Sequence, residues 1–201
     1  MCANKIKYVT IICIGLCLAG CLGTMWSSAN LIYDRNAFYK QMHDYEINTA
    51  VHQALLNNHL LNQPNCLIDT AVFNGDILLA GHVSTAVMKD RVMQLMSRIP
   101  QHRTIYNQIT VQSIDNNEFL DSWITGEIRS QIFTDATISP KAFKIVTADQ
   151  IVYLMGDVQK SEAQRVITIA RNTGGVQKVI SLLKLYQLQQ LSTRPSMLQQ
   201  F

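Results

Sequence analysis

Asp44-Tyr45-Glu46-Ile47 and, further along, Asp121-Ser122-Trp123-Ile124 open two copies of one pattern. Ile47, Val51 and Leu55 match Ile124, Ile128 and Ile132, an i, i+4, i+8 apolar stripe that lines one face of a helix. Each helix runs toward a proline, Pro64 or Pro140, which fits a break. Extended runs follow, Cys66 to Phe73 and Ala142 to Thr147. Turns come next at Asn74-Gly75-Asp76 and Ala148-Asp149-Gln150. Asn-Gly between apolar runs is a strong hairpin signal. The returning strands are Ile77 to Val83 and Val152 to Val158. Second helices follow, from about Thr85 to Ile99 and from about Ser161 to Thr173. Closing strands run over Thr104 to Val111 and Val176 to Leu185.

Each copy therefore reads αββαβ. A tight turn pairs two strands antiparallel, and a helical crossover permits parallel pairing of the third. The fold class is α+β, with two tandem modules at residues 43–113 and 119–186. Each has a three-stranded mixed sheet, one face of which two amphipathic helices could cover. A module of about 70 residues is small but can hold a core.

Working outward, Leu18-Ala19-Gly20-Cys21 closes an apolar run from Val9, behind Lys5 and Lys7. Basic residues, a short apolar run and small residues before a cysteine form a lipoprotein signal over residues 1–20. The run is too short to span a bilayer comfortably, although a short transmembrane anchor is the alternative. Cys21 is the expected lipid attachment site, where several acyl chains make anchoring stable. Residues 21–42 lack a clean period and read as the lipidated N-terminus and tether. Trp26 either rests at the membrane interface or belongs to a disordered tether. Residues 187–201 form a polar extension. Of five cysteines, only Cys66 remains outside the signal and lipidation site. It reads as a buried small residue, or else as a reactive thiol.

The net charge is +3. From Leu22 to Glu118 six basic residues face eight acidic ones, and from Phe119 onward nine face six. The second half is thus the more suited to an anionic surface, although such differences between domains are common.

The repeat resembles the BON domain, through Leu79-Ala80-Gly81-His82-Val83 and Leu154-Met155-Gly156-Asp157-Val158. The chain after residue 20 is similar to dual-BON outer-membrane lipoproteins of the DolP or YraP type. Trp123-Ile124-Thr125, Arg129-Ser130-Gln131 and Tyr153-Leu154-Met155-Gly156 are the closest local matches. The resemblance implies a non-enzymatic protein. It would bind anionic phospholipid through the second module, concentrate at division sites and support outer-membrane integrity. Leu22 after the lipidated cysteine, rather than Asp, favours the outer membrane by the same resemblance. Where relatives carry a basic residue, this chain has Glu127, which should weaken attraction to anionic lipid.

The residues give an independent case for the site. At about 100° per residue, Phe119, Trp123, Gly126, Ser130 and Phe133 fall on the face of their helix opposite Ile124, Ile128 and Ile132. Three aromatics around two small residues on a solvent face mark a contact surface. Tryptophan suits a bilayer interface, and Arg129 beside the patch can meet a lipid phosphate. The competing expectation is that these aromatics pack against the other module. The first helix places Glu46 and Gln53 where Trp123 and Ser130 sit, and is expected to lack the aromatic face.

Catalysis finds no support. His43, His52, His59, His82 and His102 read as surface or core residues rather than metal ligands. Gly174-Gly175 reads as a helix end and not a phosphate loop. Asp149 and Asp157 lie in or beside a hairpin, without a pocket for acid–base work. Gly81 and Gly156 read as points of close packing or a kink within strands. No cofactor, metal or nucleic acid is expected. The expected partner is anionic phospholipid of the inner leaflet of the outer membrane, with the chain facing the periplasm. The alternative is a periplasmic adaptor or holdase that works with the outer-membrane assembly machinery.

Overall fold

Two consecutive residues with positive φ close each hairpin: Asn74 and Gly75 in the first copy, Asp149 and Gln150 in the second. Such turns match the twist of paired strands. They belong to a computed structural model that describes residues 35–63, 65–112 and 117–186. The lipoprotein signal, Cys21, Trp26, Pro64 and the extension at 187–201 lie outside the described residues. The chain divides into two units, Met1–Phe38 and Tyr39–Phe201, and both sheets lie in the second.

The elements of the first copy are α1 (Arg35–Leu56), β1 (Leu67–Phe73), β2 (Asp76–Val83), α2 (Ala86–Met96) and β3 (Thr104–Val111). Those of the second are α3 (Glu118–Thr134), a 3-10 turn (Pro140–Ala142), β4 (Phe143–Ala148), β5 (Ile151–Val158), α4 (Lys160–Asn172) and β6 (Lys178–Leu185). Each copy forms a three-stranded sheet with the returning strand at its centre. β2 pairs antiparallel with β1 and parallel with β3, and β5 does the same with β4 and β6. The α+β mixed-sheet fold is as expected. The helix α1 begins at Arg35, so residues 35–42, read as tether, are helical. Their apolar residues do not all turn to the core, which is why no period shows. Tyr39 and Met42 stay exposed.

The repeated aspartate that opens each copy has a structural task. Asp44 accepts hydrogen bonds from the backbone N–H groups of Asn74 and Gly75, at 2.8 and 2.7 Å. Asp121 accepts the same pair from Asp149 and Gln150, both at 2.8 Å. Each first helix thus clamps its own hairpin through one carboxylate. Burial pushes the Asp121 carboxyl up, the two hydrogen bonds pull it down and Asp149 adds repulsion, leaving it raised. Hydrogen bonds to a charged group are worth about 1.5–3 kcal/mol, so Asp121→Ala is expected to destabilise by about 2 kcal/mol. Urea melts measure this. An unchanged midpoint would mean that the freed N–H groups are fully hydrated.

The helices cover one face of each sheet. Ile47 and Val51 of α1, with Met88, Val92 and Met96 of α2, pack with Ile77 and Leu79. Ile124, Ile128 and Ile132 of α3, with Ala163, Val166 and Ala170 of α4, pack with Val152 and Leu154. The remaining faces of the two sheets meet each other. Ala71, Leu78 and Ala80 join Ala148, Tyr153 and Met155 in one buried cluster. The order of layers is therefore helix, sheet, sheet, helix, with the helices outermost. All eight residues of β2 are buried as a result.

Polar contacts frame this junction with approximate two-fold symmetry. His82 and Asp157 hold equivalent places in β2 and β5, and Asn74 and Asp149 hold equivalent places in the turns. His82 Nδ1 lies 2.9 and 3.0 Å from the Asp149 carboxylate oxygens. Asn74 Nδ2 donates to Asp157 Oδ2 at 2.7 Å. Each module thus offers the other the same pair of positions, the signature of a self-complementary interface. Lys184 of β6 adds a 2.6 Å hydrogen bond to buried Asp76, which Arg103 also holds.

Candidate functional site

The N-terminus of α3 is set by Asn117, whose side chain accepts from the N–H of Leu120 at 3.2 Å. Glu118 and Asp121 occupy the first turn, where negative charge suits the helix dipole. Asp121, Ile124, Ile128 and Ile132 are buried, so the expected core stripe faces the sheet. On the outside, Phe119 is 84% exposed, Trp123 48% and Phe133 79%. The aromatics do not pack against the first module, because the modules meet through their sheets. Along the helix Phe119 and Phe133 are about 21 Å apart at 1.5 Å per residue.

Trp123 is half open, and the tip of its ring lies beside the turn after α4. Its Cη2 lies 3.8 Å from where a Cβ on Gly174 would stand. Gly175, with φ +80°, meets Ile124 and Leu120 at 3.3 Å in the same sense. Gly174 and Gly175 follow directly on the end of α4 at Thr173, as read from the sequence. A Cβ on Gly126 would meet nothing within 4 Å, and Ser130 is exposed beside it. Glu127 is half-buried and accepts a 2.8 Å hydrogen bond from Gln131 Nε2.

Arg129 is exposed but turned to the other flank, where its Nη2 donates to the Ile145 carbonyl at 3.1 Å. That flank borders an open groove of about 620 Å³. Leu67, Asp69 and Thr70 of β1 form one wall, and β4 with α3 forms the other. Glu118, Asp121, Ser122, Thr125 and Gly126 line it from the helix, and Lys144 lines it from β4. Burial, then the charges of Asp121, Glu118 and Asp149, push the Asp69 carboxyl up to about 6.

A pH dependence follows. The unfolded chain releases this proton near the ordinary aspartate value of about 3.9, so between there and about 6 the native state binds more protons. Stability contributed by Asp69 therefore falls as pH rises through that window and returns on acidification. Raised Asp121 acts in the same sense. Asp69→Asn is expected to be more stable than wild type at pH 7, with a gap that narrows as pH falls through about 6 and closes near pH 4. Urea midpoints across that range decide it, and a constant gap would contradict the expectation.

The first helix departs from the sequence expectation. Glu46 is exposed at the place of Trp123, as read, but Tyr39 and Tyr45 on the same helix are 67% and 68% exposed. Aromatic exposure alone therefore does not separate the two modules. What separates them is the tryptophan with its glycine ledge. Sequence reading also missed the His82–Asp149 pair and the groove. Both arise from sheet packing, which no local period reports.

Among the described residues no group of three or more His, Cys, Asp or Glu could hold a metal ion. None of the described helices is long and apolar enough to cross a membrane. Cys66 is half-buried, and burial pushes its thiol up.

Two αββαβ modules with an exposed aromatic helix define the class. The BON domain matches at residues 43–113 and again at 120–186, and the chain belongs to that family. The chain is similar to "Outer membrane lipoprotein DolP" of Haemophilus influenzae, with 26% identity over 170 residues, covering 84% of this chain and 88% of that protein. It is also similar to "21 kDa hemolysin" of Actinobacillus pleuropneumoniae, 30% identical over 122 residues, 60% of this chain and 63% of that protein. Among solved structures it is similar to the C-terminal domain of CdsD, a structural protein of the type III secretion system of Chlamydia trachomatis. That similarity has a TM-score of 0.29 and 10% identity, and covers 73% of this chain and 98% of that one.

Proposed function

We propose that this chain is a non-enzymatic lipoprotein of the outer membrane, anchored through Cys21 and facing the periplasm. Its second module docks on anionic phospholipid of the inner leaflet. In this reading Phe119, Trp123 and Phe133 enter the interface, Gly126 and Ser130 allow close approach, and Arg129 reaches phosphate. The protein would support outer-membrane integrity at division sites. The observation that carries the reading is the row of exposed aromatics on the outward face of α3, with Trp123 braced on Gly174. Similarity to an outer-membrane lipoprotein and the signal over residues 1–20, just before Cys21, support the location.

The test is sedimentation of the chain from Leu22 onward with vesicles of phosphatidylglycerol in phosphatidylcholine, beside phosphatidylcholine alone and an unfolded barrel protein. Tighter binding to the anionic vesicles is expected. Binding to the unfolded protein with none to vesicles would give the function to the adaptor class instead.

A further inference from the structure

We propose that the groove between β1 and α3 is a head-group pocket for a phospholipid bearing a primary ammonium, such as phosphatidylethanolamine. Asp69 would receive the ammonium, and Lys144 with Arg129 would receive the phosphate. The proposal rests on the membrane-docking reading and names the lipid class that the same helix selects.

The groove, of about 620 Å³, has room for a glycerophosphoethanolamine group. Its charges are of both signs. Asp69 and Lys144 line it, and neither side chain makes a hydrogen bond or ion pair among the described residues. A half-buried carboxylate surrounded by Asp121, Glu118 and Asp149 lacks a cation of its own. An ammonium entering there removes the repulsion and supplies N–H donors, which a carboxylate accepts strongly. A choline head has no N–H to donate. Asp121 is not free for this role, because both its oxygens hold the Asp149–Gln150 turn. Arg129 spends one Nη2 bond on Ile145 and keeps further donors of its guanidinium fork. Gly126 forms part of the wall and has open space where a Cβ would stand, so the backbone does not obstruct entry.

The experiment uses the chain from Leu22 onward and vesicles of equal phosphatidylglycerol content, filled out with either phosphatidylethanolamine or phosphatidylcholine. Wild type is expected to bind the ethanolamine vesicles at least about tenfold more tightly, the lower end of what one charge-assisted hydrogen bond is worth. Asp69→Asn, which relieves repulsion and so should not unfold the protein, is expected to bind both alike at the choline level. Trp123→Glu should lose both. Equal binding by wild type, or a preference that survives in Asp69→Asn, overturns the pocket while leaving membrane docking intact. If no vesicle binds at all, the docking reading fails, and soluble glycerophosphoethanolamine decides the pocket. Shifts of the Gly126 and Thr125 amide resonances that vanish in Asp69→Asn uphold it, and their absence overturns it.

Discussion

Gly156→Leu is expected to destabilise the protein by about 3 kcal/mol or more, at the upper end of overpacking costs. A Cβ on Gly156 would stand 2.5 Å from the Ala142 carbonyl oxygen and 3.2 Å from Leu183 Cδ2. The first is backbone of the 3-10 turn that leads directly into β4, which cannot swing aside as a side chain can. The second belongs to the core beneath α3 and α4. A leucine must therefore part β4 from β5 or empty space among packed side chains. Gly81 holds the same place in β2, where a Cβ would collide with the Leu67 carbonyl oxygen, and its φ of +107° strains any other residue. The two copies share one device: a glycine that lets a carbonyl at the entry to the edge strand approach the central strand. Urea melts of the chain from Leu22 onward, followed by circular dichroism, measure the effect. An unchanged midpoint would show that the start of β4 yields freely.

Trp123→Glu is expected to weaken binding to anionic vesicles at least about tenfold, one decade being 1.4 kcal/mol. Two effects add. Loss of the indole forfeits up to about 1.5–3 kcal/mol of apolar burial, less the half already covered in the free protein. The new carboxylate near an anionic leaflet costs about 1 kcal/mol more. Folding should survive, because Ile124, Ile128 and Ile132 carry the buried face and Trp123 only leans on Gly174. Circular dichroism and vesicle sedimentation on the same sample separate the outcomes. A variant that loses its fold makes the tryptophan a core residue. A folded variant that binds like wild type removes the lipid site from α3.

Much of the fold was legible because its signals are local. The Asn74-Gly75 dipeptide specifies a turn, and the isoleucines of α3 repeat at helical spacing. The spacing of Asp44 and Asp121 from those stripes marks the repeat itself. The start of α1 was not legible, because Tyr39 and Met42 are apolar residues left exposed, and they blur the amphipathic period. Arg129 fell beside the aromatics on the helical wheel, yet it points to β4. A long flexible side chain follows the nearest free carbonyl rather than its Cα angle.

By itself the sequence determined the order αββαβ twice over, the pairing of each hairpin and the helix face that is buried. Each depends on contacts within a turn, a helical period or an alternating strand, and side-chain chemistry decides those within a few residues. Only the tertiary structure decided that the two sheets meet back to back. Ile77-Leu78-Leu79-Ala80 and Val152-Tyr153-Leu154-Met155 are apolar on both faces, so they require cover on both sides without naming what supplies it. The cover proved to be the other module. That choice buries Leu78 against Tyr153 and Met155, brings His82 to Asp149 and opens the groove beside Asp69. These residues lie far apart in the chain, and their meeting is set by which surfaces complement each other, a property of the assembled sheets and of no segment alone.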